Sequence, residues 1–118
     1  MHTNQRIMQK YLELLEALKM LEAERTRISH EGDVLLDCWL AQSRPSGTAR
    51  TNHAHWQLRS RKPQFSGKKS RYVKAAEVGQ YAAAIARGQH LKHLARQIET
   101  LQRRIGKIET AIATALTH

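Results

Sequence analysis

The stretch His55-Trp-Gln-Leu-Arg-Ser-Arg-Lys-Pro-Gln-Phe-Ser-Gly-Lys-Lys-Ser-Arg-Tyr-Val73 decides the fold class of this chain. Its first part alternates: Trp56, Leu58 and Ser60 fall on one face of an extended segment, and Gln57, Arg59 and Arg61 on the other. Pro63 to Gly67 has turn composition, and Lys68 to Val73 is again strand-like. Two short strands joined through that turn make a β-hairpin, with Trp56 and Leu58 as the anchoring face and Lys68 and Lys69 at the tip.

Working outward toward the N-terminus, Gln42 to Asn52 is rich in Ser, Thr, Arg, Pro and Gly, which is loop composition. Val34 to Leu40 (VLLDCWL) is a short apolar block between Gly32 and the Pro45-Ser46-Gly47 turn. It fits a buried strand or a short helix, and periodicity does not choose between them. Residues from about Asn4 to Ser29 read as an amphipathic helix. Ile7, Tyr11, Leu14, Leu18, Leu21 and Ile28 follow three- and four-residue steps, with Arg25 at the remaining core-type position and Leu12 and Leu15 widening the stripe. Thr3 or Asn4 suits the N-cap and Gly32 the stop.

On the other side, Ala75 to Ala86 favours helix. Gly88 either marks a bend or is tolerated inside one long helix at about 1 kcal/mol. Leu91, Leu94, Ile98, Leu101, Ile105, Ile108, Ile112 and Ala115 keep an unbroken 3-4 spacing, and Glu99 stands four residues before Arg103 in the favourable order. The expected fold is mostly α with a small β-hairpin: an N-terminal helix over 1–32, a basic loop and hairpin over 33–74, and a helical part with coiled-coil character over 75–118. A length of 118 residues suggests that these form one domain. The apolar stripes suit packing within the chain. They also suit assembly through Leu94, Ile98, Leu101, Ile105, Ile108 and Ile112, with a second copy or a larger protein.

Charge points to function. The formal net charge is +10, and it is concentrated. Residues 38–74 carry nine bases and no acid, whereas the acids outnumber the bases before residue 38. A bases-only segment is attracted to polyanions. The candidate nucleic-acid contacts are Arg44, Arg50, Arg59, Arg61, Lys62, Lys68, Lys69, Arg71 and Lys74, with Phe65 at the turn as a stacking or wedge residue. Trp56 and Tyr72 read as core. The expected function is non-enzymatic binding of DNA or RNA. A helical adaptor acting on a protein partner through the heptad stripe is the alternative.

Catalysis finds little support. From residue 38 onward the acids are Glu77, Glu99 and Glu109, all in helical sequence. Paired carboxylates, HExxH spacing and phosphate-binding glycine loops are missing, so no small-molecule substrate or cofactor is expected. His53, His55, His90, His93 and Cys38 are the residues a metal would draw on, but structural zinc sites usually use more than one Cys, and the expectation is no metal. A single cysteine fits a reducing compartment, and no signal-peptide or membrane-spanning run is present, so the expected location is cytoplasmic or nucleoid-associated, without membrane contact.

The order of His55–Leu58, Gly67-Lys68, Arg71–Val73 and Lys74–Glu77 resembles an uncharacterised family of small helix–hairpin–helix proteins encoded beside transposases and other mobile-element genes. The resemblance covers about residues 55–101. It implies an accessory role around nucleic acid and supplies no mechanism. The family usually has a Cys-rich loop before the aromatic strand. Ser43–Asn52 has no cysteine, so neither a metal nor a target is carried over.

Overall fold

The computed structural model describes residues 2–43 and 55–117, with side chains from residue 5 onward. Helix α1 runs over His2–Ser29, followed by strands β1 (Cys38–Ser43), β2 (His55–Ser60) and β3 (Ser70–Val73). A 3-10 turn at Ala75–Glu77 leads into helix α2, Val78–Leu116. The fold is α+β and mostly helical, with a small antiparallel sheet and a long C-terminal helix. The chain groups into two compact units: Met1–Glu31 with Leu91–His118, and Gly32–His90. Residues of the 3-4 pattern supply the buried apolar positions Leu14, Ile28, Leu94, Ile98 and Ile105 of the first unit, and alternating strand residues supply Cys38, Leu58 and Val73 of the second.

In the first unit, α1 and the later part of α2 lie antiparallel. The Tyr11 hydroxyl donates to Glu109 Oε2 at 2.9 Å, while Leu21 shares a shallow depression with His93, Arg96, Gln97, Thr100 and Leu101. Residue numbers fall along one helix as they rise along the other. The α2 stripe follows the expected spacing: Leu94, Ile98 and Ile105 are buried, and Leu91, Leu101, Ile108 and Ile112 are half-buried. Leu14 and Ile28 on α1 are buried, with Tyr11, Leu18 and Leu21 half-buried. The α2 residues expected to form an assembly seam therefore serve first as the core of this unit, because an apolar stripe in the same chain reaches them. Leu12 and Leu15 do not widen the buried stripe. Both are exposed, as are Ile7 and Arg25. Helix α1 begins at His2, so Thr3 and Asn4 lie inside its first turn instead of capping it.

Surface ion pairs follow helical spacing. Arg27 pairs with Glu24 and Glu31, and Arg103 Nη2 lies 3.9 Å from Glu99 Oε1.

In the second unit the sheet order is β1-β2-β3. The hairpin of β2 and β3 takes the expected place, and β1 adds a third strand on its far side. Gln42 and Ser43, assigned to a loop by composition, pair with Trp56 and His55 instead. The apolar block starting at Val34 resolves into irregular chain up to Asp37 and then strand. Asp37 sits at φ 56, a left-handed conformation that Asp tolerates better than most residues, and it sets the chain into β1.

Beyond Ser60 the hairpin departs from a simple ladder. Ser60 N donates to Lys69 O at 2.9 Å, and Phe65 pairs with Lys68 as an isolated bridge. Arg61 to Pro63 therefore bulge out of the ladder, which accommodates Pro63, and Gln64 N rejoins it by donating to Lys68 O at 3.1 Å. The reversal itself is Phe65-Ser66-Gly67-Lys68. Positive φ at both Ser66 (53) and Gly67 (81) gives a two-residue primed turn, the kind that matches strand twist.

One face of the sheet packs on the start of α2. Cys38, Leu58 and Val73 are buried together, with Leu35, Leu40, Trp56, Phe65, Val78, Tyr81 and Ile85 packed around them. Leu35 N donates to Ala84 O of α2 at 3.1 Å, and Arg87 Nε donates to Asp33 O at 2.8 Å. That close approach explains Gly88. A Cβ there would lie 1.9 Å from Leu35 O. Glycine is required by contact, and α2 runs through it without a break.

Candidate functional site

Strand alternation gives the sheet two chemically different faces. Register places Cys38 opposite Ser60, Leu40 opposite Leu58, and Trp56 opposite Val73, all toward the core. Residues directly opposite each other share a face. The outer face is therefore formed by Trp39, Ala41 and Ser43 of β1, His55, Gln57 and Arg59 of β2, and Ser70 and Tyr72 of β3. Arg59 stands in the central strand between Trp39 and Ser70, and Gln57 between Ala41 and Tyr72.

This face is open and aromatic. Trp39 keeps 43% of its surface exposed and Tyr72 62%. His55 is exposed beside Tyr72, with ring centroids 6.1 Å apart and the planes tilted by 60°. Arg59 is oriented from within the same strand, its Nε donating to Gln57 Oε1 at 3.0 Å. The guanidinium is thus held over the sheet while four of its five N–H donors stay available for a ligand.

The other described cations of the segment lie at the bulge and turn and along β3. Arg61 and Lys62 are exposed in the bulge, where the Lys62 carbonyl accepts a hydrogen bond from the buried Ser60 hydroxyl. Lys68 and Lys69 are exposed at and beside the turn. Arg71 pairs with Leu58 at the free edge of β3 and is exposed. Phe65, Ser66, Lys68, Ser70, Arg71 and Tyr72 line a shallow depression along that edge. Lys74 is exposed at the start of the 3-10 turn. Arg44 and Arg50 lie outside the described residues, as does His53.

The sequence pattern brings most of these cations together but misassigns the aromatics. Tyr72 reads as core and is instead 62% exposed on the outer face, because the inward position beside Trp56 belongs to Val73. Phe65 reads as a free turn residue and is instead half-buried against the Cys38, Leu58 and Val73 cluster. The bulge shifts the register there and turns its ring inward. Trp39 is the residue that sequence reasoning misses. Its signal was present in the alternation of Cys38 and Leu40 with Trp39 and Ala41, hidden by the apolar run before it.

Among the described residues no three His, Cys, Asp or Glu are grouped so as to hold a metal ion. His90 and His93 are exposed on α2. Cys38 is buried in the sheet core, and desolvation, with a smaller contribution from Asp37, pushes its thiol above the ordinary range. Among the described residues no helix is long and apolar enough to cross a membrane.

No known family, curated protein or solved structure matches the chain. The functional reading therefore rests on the residues and on the geometry of the sheet.

Proposed function

We propose that this protein is a non-enzymatic nucleic-acid-binding accessory protein that grips the phosphate backbone with its basic sheet and turn. The observation that supports this most directly is the acid-free segment 38–74, whose described cations lie on β2, at the bulge and turn, and along β3 of a sheet with an open face. A face that needed only solubility would mix both signs. Arg59, Arg61, Lys62, Lys68, Lys69, Arg71 and Lys74 are the contacts, with Arg44 and Arg50 contributing from the segment before β2. Each neutralised phosphate releases condensed counterions, and that release supplies affinity without reading sequence. The resemblance to proteins encoded beside transposases supports a place in a mobile-element or nucleoprotein assembly, with a recombinase- or nuclease-type partner. The lone buried Cys38 suits a reducing, cytoplasmic setting.

Replacing Arg59, Arg61, Lys68, Lys69 and Arg71 together with Ala tests the reading. Gel-shift titrations over a salt series are expected to show weaker binding. The salt dependence should also be shallower, by about 0.7–0.9 in the log–log slope for each phosphate contact removed. Equal affinity in the variant would overturn the proposal.

A second reading has one observation in its favour. Met8, Leu12 and Leu15 form an exposed apolar row on α1 at helical spacing. In that reading the protein is a helical adaptor, and its docking row is on α1, since the stripe of α2 is already covered.

A further inference from the structure

We infer that the open face of the sheet is a stacking platform for unpaired bases, so that the ligand class of the proposed site is single-stranded nucleic acid. The inference rests on the nucleic-acid reading above and narrows it.

The first support is what the face exposes. Large aromatic side chains are ordinarily covered, because each buries a large apolar area when it packs. Here Trp39 and Tyr72 are left 43% and 62% exposed on the same face, with His55 beside Tyr72. Aromatic faces exposed among cations suit nucleic-acid bases, since every base offers a π-face and every nucleotide a phosphate. No carboxylate lies in residues 38–74 to repel that phosphate.

The second support is spacing. Trp39 and Tyr72 sit on the outer strands with β2 between them, offset by one two-residue step, since Trp39 is level with Arg59 and Tyr72 with Gln57. Two strand separations and one such step place their backbones roughly 12 Å apart. Bases in a duplex advance only about 3.4 Å per step and present their edges, not their faces. Two rings that far apart on one flat surface can each take a base only from a strand whose bases are splayed. Single strands do this, and sequence-tolerant stacking on an open sheet is a recurring way to hold them.

The third support is the placement of polar groups between the rings. Arg59, tethered to Gln57, lies along the path from Trp39 to Tyr72. It can meet a bridging phosphate or stack on a base, and Gln57 offers its amide to a base edge. At the free edge of β3, Lys68 and Arg71 line the same shallow depression as Tyr72 and bring cations to the margin of the face.

The test uses the full chain and fluorescence anisotropy. The probes are labelled oligothymidylate and oligouridylate, longer than a site of about 4–16 nucleotides, and a duplex of equal length. The wild-type protein is expected to hold the single strands more tightly than the duplex at one salt concentration. Trp39→Ala and Tyr72→Ala should each weaken single-strand binding by about 5- to 150-fold while duplex binding stays unchanged. Tyr72→Phe should retain single-strand binding. Both rings are surface groups, so circular dichroism should report an unchanged fold. In a Trp56→Phe background Trp39 is the remaining indole, and its emission should be quenched by the single strands and not by the duplex.

Equal affinity for duplex and single strand, or unaltered single-strand affinity without the rings, overturns the inference while leaving the broader nucleic-acid reading intact. Loss of oligomeric state alone in Trp39→Ala also overturns it, since the face would then be a seam between copies. Absence of binding to all probes overturns both.

Discussion

Cys38 shows how one side chain can be silenced by its place in a strand. It lies on the inward face of β1 against Leu58 and Val73, and burial raises its thiol above the ordinary range, with Asp37 adding to the effect. Thiolate is the reactive form, so the native protein should react slowly with iodoacetamide at mildly alkaline pH and quickly in denaturant. The same shift has a consequence for stability. A pKa raised by folding means that the native state holds the proton more tightly than the unfolded chain. The contribution is complete below the ordinary thiol range and is lost as pH rises through the native value. Thermal unfolding followed across the alkaline range should therefore show a decline that is shallower in Cys38→Ala. Part of the decline should remain, because Glu109 raises the Tyr11 hydroxyl in the same direction through a hydrogen bond. At this scale the sequence was legible for charge and less so for rings. The described cations of the sheet and its turn are all exposed, whereas the facing of Trp39 follows a strand β1 hidden by the apolar run before it, and the inward turn of Phe65 follows the Arg61–Pro63 bulge.

Whole elements were easier to read than single side chains, for a physical reason. The stripe from Leu91 to Ile112 keeps one face only at helical period, so its period determines both the helix and its buried side, whichever surface covers it. The hairpin was legible because alternation at Trp56, Leu58 and Ser60 is followed by turn residues. Strand β1 was not, since Val34 to Leu40 has the length and composition of either a strand or a helix, and its pairing with β2 is a non-local choice. Helix α2 carries the sharpest energetic test. Gly88 costs helix propensity of about 1 kcal/mol relative to Ala, yet a Cβ at that position would meet Leu35 O at 1.9 Å. That atom is backbone, and the neighbouring Leu35 N is held by Ala84 O. Relief must therefore come from moving the chain. Gly88→Ala should lower stability by about 1–3 kcal/mol, as overpacking does. Gly106→Ala on the same helix, where the added carbon meets nothing within 4 Å, should raise it by up to about 1 kcal/mol. Chemical denaturation of the two variants against the wild type gives both signs in one experiment.

For the molecule as a whole, charge and exposed apolar surface are divided between the two units. The unit of Gly32–His90 carries the acid-free segment and the aromatic face, while the helical unit carries most of the acids and an apolar row with no described partner. Under the proposed function, binding of a polyanion and assembly with protein fall on different units, and substitutions in α1 should divide them. Ile105 is 6% exposed, and an aspartate there would put a charge into the core shared by the two helices. Ile105→Asp should cost at least about 3 kcal/mol and remove assembly only by unfolding the unit. Leu12 is 58% exposed. Leu12→Asp should stay within about 0.5 kcal/mol of wild type. If the row Met8, Leu12 and Leu15 seats a second copy, the same change should shift sedimentation from oligomer to monomer, because a desolvated carboxylate has no partner in an apolar seam. Nucleic-acid affinity per chain should survive that change, and the apparent affinity on long strands should fall by the factor that linking two sites had supplied, on the order of 100-fold or more. A Leu12→Asp protein that sediments as the wild type does would remove the row on α1 from any role in self-assembly, and would leave the basic sheet to act one chain at a time.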